Sequence, residues 1–383
     1  MKKIKIIGCG ISGATLANIL ANNGWYVDIY DKNSFVGGSC YDFYDGKGVL
    51  VHKFGPHIFH TSFEEVYKFI SKFTHLNSYV NKVLVNVESK TFPLPINFES
   101  IRIIMGKDSQ KVIDTLKELF PNKKAITLFE LQKVNDTLIK KFVSWISQNV
   151  YLNYSAKMWG TSFENIDPKT INRVKIVLNS DHNYFPDDKY QGLPTEGFTK
   201  MISKMLGHPN IHLHLNVNAT NFLKFENGII WDNKLIDEPI VYCGSLDELL
   251  NYKFGVLPYR SLKIEFETFN KDSYQEAPVV NYPAHPTMTR ITEYKKMTFQ
   301  NIENITTISK EYPNSFNVES KDFNTRYYPI KNETNLAMYE KYKTFFKKYL
   351  NFYPLGRLAQ YKYFDIDDAI MQALQLAKEL SDA

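Results

Sequence analysis

Cysteine is scarce in this chain of 383 residues, which holds only Cys9, Cys40 and Cys243. Three scattered thiols are too few for a disulfide framework or a four-ligand zinc site, so no metal is expected and a reducing, cytoplasmic setting fits. Long apolar runs are missing as well. Nothing approaches the roughly 20 residues that a spanning helix needs, which argues against stable membrane insertion. Met1-Lys2-Lys3 precedes an apolar stretch in the manner of a signal peptide, but Lys5, Ser12, Thr15 and Asn18 interrupt it and argue against export. No segment carries a surplus of one charge. Lysine plus arginine number 46 and aspartate plus glutamate 41, a net charge of +5 with no basic tail or acidic block, unlike a nucleic-acid binder or a polybasic anchor. Internal repeats and low-complexity linkers are also absent, so domains would be built from interleaved segments.

What is present is an ordinary globular composition, 44% hydrophobic and 23% charged, long enough at about 150 residues per domain for two to three structural units. Aromatic residues reach 15%, with 25 Tyr and 27 Phe. Either composition and core packing account for them, or they line a pocket whose rings stack on a base or a flavin.

Residues 4–7 read as a short buried strand, and Gly8-Cys-Gly-Ile-Ser-Gly13 follows at once, leading into a helix over 14–22. Gly24 ends that helix, and residues 26–30 alternate as a second strand closing on Asp31. This is a dinucleotide-binding fingerprint in its full context. Gly8 permits the tight turn, Gly10 lets the backbone approach a pyrophosphate, and Gly13 lets helix and strand pack closely, while Ser12 stands at the helix start. Asp31 would accept hydrogen bonds from a ribose diol. Gly37, Gly38 and Ser39 follow the acidic residue, as in FAD-dependent oxidases and hydroxylases and unlike most NAD dehydrogenases; a plain surface turn is the alternative. Lys32 and Val217 complete the candidate contacts at this end of the cofactor.

Further on, residues 82–87 alternate as a strand, and 98–150 is apolar at helical spacing, with amphipathic stretches at 128–131 and 138–146. Strand signals recur at 173–178, 211–217, 228–232, 240–242, 262–267 and 306–311. Helical periods occupy 198–205, 339–349 and 367–380. The expected fold is α/β: a Rossmann-like FAD-binding domain from 1–80, 193–250 and 350–383, a helical subdomain with a mobile loop over 95–165, and an antiparallel sheet domain for substrate from 81–94, 166–192 and 251–349.

The most specific short segment is Phe54-Gly-Pro-His57-Ile-Phe-His60-Thr61. With it come Tyr154-Ser-Ala-Lys-Met-Trp159-Gly, Asn183-Tyr-Phe-Pro-Asp, Tyr190-Gln-Gly-Leu-Pro, Tyr259-Arg-Ser-Leu, Thr289-Arg290-Ile, Tyr327-Tyr-Pro-Ile and Gly356-Arg-Leu-Ala-Gln-Tyr-Lys-Tyr-Phe-Asp, in that order. From residue 4 to about 380 the chain resembles the UDP-galactopyranose mutase family of bacterial type. The resemblance implies a flavoenzyme that interconverts the pyranose and furanose forms of a nucleotide-diphosphate sugar with no net redox change. In that family reduced FAD acts through N5 as the nucleophile at the anomeric carbon. It further implies electrons from NAD(P)H or a reductase, a homodimer, and a furanose product for surface polysaccharide.

By the same resemblance Arg290 pairs with the diphosphate, where a guanidinium fork suits phosphate oxygens, and Tyr328 and Tyr363 turn their hydroxyls to it. His57 and His60 stand beside the flavin, Arg357 against it, and Asp365 and Ile366 at the isoalloxazine ring. Tyr154 and Trp159 match the helix and mobile loop that cover base and sugar; ordinary core packing is the alternative for both. Asn81, Arg173, Tyr184 and Arg260 fall on substrate-side segments. One departure stands out. The family's second essential arginine aligns with Val177, so half of the phosphate clamp is missing, and Lys175, or else Lys189, is expected to replace it. Gly-Pro in the 54–61 segment and Gln360, where the galactose enzymes carry Gly-Ala and glutamate, add to the expectation of a substrate other than UDP-galactose. A redox flavoenzyme on the same scaffold and an inactive flavin- or nucleotide-binding subunit are the competing readings.

Overall fold

The computed structural model describes residues 1–160 and 175–382, apart from the side chain of Trp159. Its first layer is a five-stranded parallel sheet in the order Ile211–His214, Tyr26–Tyr30, Lys3–Ile7, Ile240–Tyr242, Phe352–Pro354. Ile4 and Ile6 are fully buried at its centre, as expected of a parallel strand covered on both faces. The helices Ile11–Asn22, Phe198–Met205 and Ile366–Asp382 pack against it, and Leu16, Leu20, Met201, Ile370 and Ala373 share one core. Three distant tracts of chain therefore build one parallel-sheet unit.

The second layer is a seven-stranded sheet in the order Tyr328–Pro329, Tyr259–Phe269, Thr306–Ser315, Arg290–Glu293, Val279–Asn281, Val83–Val87, Lys90–Leu94. It differs from the expected all-antiparallel sheet at one seam, where Val279–Asn281 runs parallel to Val83–Val87. Nearly two hundred residues separate these strands in sequence, so no hairpin dictates their direction. The central pair, Tyr259–Phe269 with Thr306–Ser315, extends beyond the alternating runs visible in the sequence because ten successive residues stay in register.

On the outer face of Val83–Val87 lie the helices Phe98–Met105, Ser109–Leu119 and Thr137–Ile146, with Val85, Ile101, Ile113 and Phe142 in a common core. The helix Thr137–Ile146 does not stop where its apolar period ends. It continues through a π-helical turn, Ser147–Leu152, into Asn153–Trp159. The wider turn changes which side chains share a face, and Val150, Tyr151, Tyr154, Ser155 and Met158 come to line the same cavity.

Candidate active site

The carboxyl ends of Lys3–Ile7 and Tyr26–Tyr30 open onto the glycine turn. A Cβ on Gly13 would lie 2.0 Å from the Gly8 carbonyl oxygen, one on Gly38 would lie 3.0 Å from Gly10 Cα, and one on Gly356 would lie 2.9 Å from Ser12 Oγ. The glycine turn, its helix and the 37–38 turn thus meet backbone to backbone, and the 356 turn closes on the Ser12 side chain. The helix Ile11–Asn22 has no side-chain cap bond and no acidic residue in its first turn, so its leading N–H groups suit an anion. Asp31 accepts hydrogen bonds from the Cys9 N–H at 2.8 Å and from the backbone and side chain of Asn33 at 2.9 Å. Its carboxylate ties the glycine turn to the second strand and keeps lone pairs beyond those three bonds. Ser39 lies in the turn Gly38–Cys40, and Val217 donates its N–H to the Asp31 carbonyl. Lys32 is the exception at this end. Its ammonium pairs with Glu248 at 2.7 Å on the surface.

Beyond this cradle lies a cavity of about 280 Å³. His57, Arg357, Asp365 and Ile366 line it from the cofactor side, and Asn81, Asn281 and Arg290 from the seven-stranded sheet. Register explains the sheet side. Val85, Asn281, Arg290, Glu311 and Ile264 are successive cross-strand partners, forming one row across five strands. Arg290 Nε sits 2.7 Å from Glu311 Oε1, and the Glu311 side chain is only 1% exposed. Burial opposes the charge on Arg290, but the Glu311 carboxylate outweighs it and holds the guanidinium above its usual range. The contact is an ion pair without hydrogen-bond geometry, and the two terminal nitrogens form the fork available to a ligand. On the other side of Arg290, the buried Asn281 Oδ1 has no hydrogen-bond partner, and Asn281 lines the cavity. Asn81 accepts from the Tyr79 hydroxyl at 2.9 Å, and its carbonyl receives the Tyr184 N–H.

Tyr328 and Tyr363 stack at 5.3 Å between ring centroids, 14° from parallel. The Arg357 guanidinium lies over both rings, 5.2 and 5.4 Å away, while its nitrogens donate to the carbonyls of Phe364 and Tyr327. Arg357 therefore fixes the two tyrosines in place. His60 lines the cavity with Phe185 stacked on its ring, and Tyr184, next in the chain, lines it too. Burial pushes the Tyr154 phenol up in pKa, so it stays a neutral donor.

Three of the expected substrate contacts are placed elsewhere. Arg260 is buried, and its guanidinium donates to the carbonyls of Met158 (2.6 Å) and Lys157 (3.0 Å) and to Ser315 Oγ (3.1 Å). It satisfies the carboxyl end of the helix Asn153–Trp159 and does not line the cavity. Val177, where the second clamp arginine was expected, is 4% exposed. Its strand pairs with Ala125–Ile126, and its N–H donates to the Ile96 carbonyl, so this position is held against the helical subdomain and does not line the cavity. Lys175 is half-exposed with its ammonium 3.7 Å from Asp187, and Lys189 lies over the Tyr190 ring; neither lines the cavity. Arg173, and the side chain of Trp159, fall outside the described residues. Asn281 and Glu311 carried no motif in the sequence; only their register with Arg290 reveals them.

His57 N–H donates to His52 Nδ1 at 3.0 Å, and His57 Nδ1 lies 2.8 Å from the Gly55 carbonyl. His52 is 1% exposed, and burial lowers its pKa to about 3. It is therefore neutral in the fold, whereas an unfolded histidine takes up a proton below about pH 6.5. The unfolded chain then binds more protons, so stability present above pH 6.5 is lost on acidification until about pH 3, at about 1.4 kcal/mol per pH unit. Urea unfolding at pH 7.5 and 5.5 should show this decline, and His52→Gln should lessen it, with His57, whose pKa burial also lowers to about 3, carrying the rest. An unchanged slope in the variant would refute the assignment.

Comparison with known proteins agrees with this geometry. A family model described as UDP-galactopyranose mutase matches residues 149–363, and one described as an NAD(P)-binding Rossmann-like domain matches residues 6–73. The chain is 42% identical to a UDP-galactopyranose mutase of Mycoplasma genitalium, over 98% of this chain and 94% of the relative. It is 31% identical to a dTDP-fucopyranose mutase of Escherichia coli, over 99% and 98%. A crystal structure of reduced UDP-galactopyranose mutase shares the fold with a TM-score of 0.67 at 16% identity, covering 100% of this chain and 94% of that one. A match at 42% identity over nearly the whole of both chains shows that the chain belongs to the UDP-galactopyranose mutase family.

Proposed function

We propose that the protein interconverts UDP-galactopyranose and UDP-galactofuranose, with FAD as cofactor in its reduced state and NAD(P)H or a reductase as electron source, to supply a furanose for surface polysaccharide. One arrangement carries the reading: Arg290, held by Glu311, and the stacked Tyr328 and Tyr363 meet in one cavity beside the glycine cradle. An oxidase has no need of a diphosphate clamp. The glycine segments and the uncapped helix fit a dinucleotide, and reduced FAD would supply the nucleophile for the anomeric carbon. Arg290 would hold the diphosphate after it leaves, so that it can return. Tyr328 and Tyr363 would donate to its oxygens, and Asn281 Oδ1 would accept from a hydroxyl or N–H of the nucleotide sugar.

The grounds for a different substrate weaken on inspection. Val177 does not face the cavity, and Gln360 Oε1 accepts from Gly356 N–H within its own turn. Only Pro56, of the three departures, lines the cavity. The 42% relative is a UDP-galactopyranose mutase, which supports galactose. The test is a panel of UDP-, dTDP- and GDP-sugars with dithionite-reduced protein, followed by chromatography for furanose. UDP-galactofuranose should form from UDP-galactopyranose only under reduction and without stoichiometric NADH use. Turnover of dTDP-fucose alone would shift the substrate, and stoichiometric oxidation of the sugar would overturn the mutase reading.

A further inference from the structure

His60 is fixed in three ways. Its strand, Phe59–Thr61, pairs antiparallel with Tyr190–Gly192, with His60 opposite Gln191. Phe185 stacks on its ring at 3.6 Å between centroids. Its Nδ1 lies 2.7 Å from Asp188 Oδ2. Gln191 in turn donates from Nε2 to the carbonyls of Phe185 and Asp188, and Ser62 Oγ reaches Asp188 Oδ1 at 3.2 Å. The residue facing His60 across the ladder thus secures the turn that supplies both the stacking ring and the carboxylate. Among the other charged groups, Asp367 faces this strand from the C-terminal helix through a hydrogen bond to Thr61.

An ionised carboxylate has no proton to give, so Nδ1 must be the donor. In the neutral ring that leaves Nε2 as the acceptor, on a residue that lines the cavity. The proposed ring contraction needs such a group. It breaks the bond from the anomeric carbon to the ring oxygen and forms one to a chain hydroxyl oxygen, so one proton must leave that hydroxyl and one must arrive on the former ring oxygen. We infer that Asp188 is a positioning residue that holds His60 in its Nδ1–H tautomer, so that Nε2 takes the proton that the attacking N–H nucleophile releases, passes it to the ring oxygen as that bond breaks, and carries the closing hydroxyl's proton back to the nucleophile as it leaves. The proton count balances over one turnover, and no outside acid is consumed. This inference rests on the mutase reading for its reaction, but not for its tautomer. Asp188 lies outside every motif that carried the family resemblance.

The test uses the full-length holoprotein with flavin bound. Nitrogen-15 NMR of histidine-labelled protein, with His60→Gln to assign the resonance, should show His60 protonated at Nδ1 at a pH where the ring is neutral. In Asp188→Asn the amide can donate to Nδ1, and the tautomer should switch to Nε2–H. Turnover of UDP-galactopyranose by that variant should fall on the order of 10²-fold in kcat with KM little changed, since an orienting partner is lost and the acceptor nitrogen is blocked. Ser62→Ala removes the other contact to the Asp188 carboxylate and should keep both tautomer and rate. In a His60→Ala background Asp188→Asn should have no further effect. An Nε2–H tautomer in the wild type, or an undiminished Asp188 effect without His60, overturns the inference. An Nδ1–H signal in a protein that makes no furanose would leave the tautomer standing and reject the mutase reading.

Discussion

Arg290→Ala is expected to lower kcat/KM for the nucleotide sugar by about 10³-fold or more. Two terminal nitrogens on phosphate oxygens, at about 1.5–3 kcal/mol for each charge-assisted bond, account for a loss of that order. The substitution has a second consequence. Glu311 is nearly inaccessible, and Arg290 is its ion-pair partner. Removing the guanidinium strands a buried carboxylate, which costs about 3–5 kcal/mol of stability. The two effects can be separated. A double variant, Arg290→Met with Glu311→Leu, should recover most of the stability in urea unfolding because neither charge remains, yet it should stay inactive. Arg290→Lys keeps the charge but not the fork and should fall between. Flavin content should stay at the wild-type level throughout, because Arg290 stands on the seven-stranded sheet and not in the glycine cradle. Near-normal turnover by Arg290→Ala, or by the double variant, would refute the clamp.

The row that makes Arg290 effective was half legible in the sequence. Arg290 belongs to a short recognisable segment, but Asn281 and Glu311 become its neighbours only through strand register. Register depends on how three strands align after folding, and no local pattern in any of them specifies it. The reverse error arose at Val177. The strand signal over 173–178, with Val177 aligned to a clamp arginine, places this strand at the substrate. Residues 176–177 instead pair with Ala125–Ile126, both are buried, and Ile176 joins the helical core; a partner strand about fifty residues away decides this, and no local pattern shows it. Arg260 shows a third limit. Its segment suggests a ligand contact, but the carbonyls at the end of Asn153–Trp159 claim its guanidinium, and helix ends have that need wherever they fall. The glycine fingerprint was readable because every part of it is local: a strand, a turn that excludes side chains, and a helix within some 30 residues.

That locality makes Gly13→Val the substitution expected to do most damage to cofactor binding. A Cβ at Gly13 would stand 2.0 Å from the Gly8 carbonyl oxygen and 3.3 Å from Ile6 Cγ2, so the helix Ile11–Asn22 must retreat from the strand by about 1 Å or more before any methyl group is added. The helix is not free to do so. Leu16 and Leu20 are fully buried in the core that also holds Ile370 and Ala373 of the C-terminal helix, and a shift against close-packed side chains costs about 1–3 kcal/mol or more. Whichever way the strain resolves, the leading N–H groups move away from the place where a pyrophosphate would sit, and Gly10 and Gly38 lose their close approach. The purified variant should carry little flavin, read from its visible absorbance, and should unfold at lower urea. Gly24→Ala is the control. It lies at the other end of the same helix with φ +82° and nothing within 4 Å of its Cβ position, so it should lose about 1 kcal/mol to backbone strain and keep its flavin. Full flavin in Gly13→Val would show that the helix can yield without disturbing the phosphate site, and the close helix–strand contact would then be packing alone.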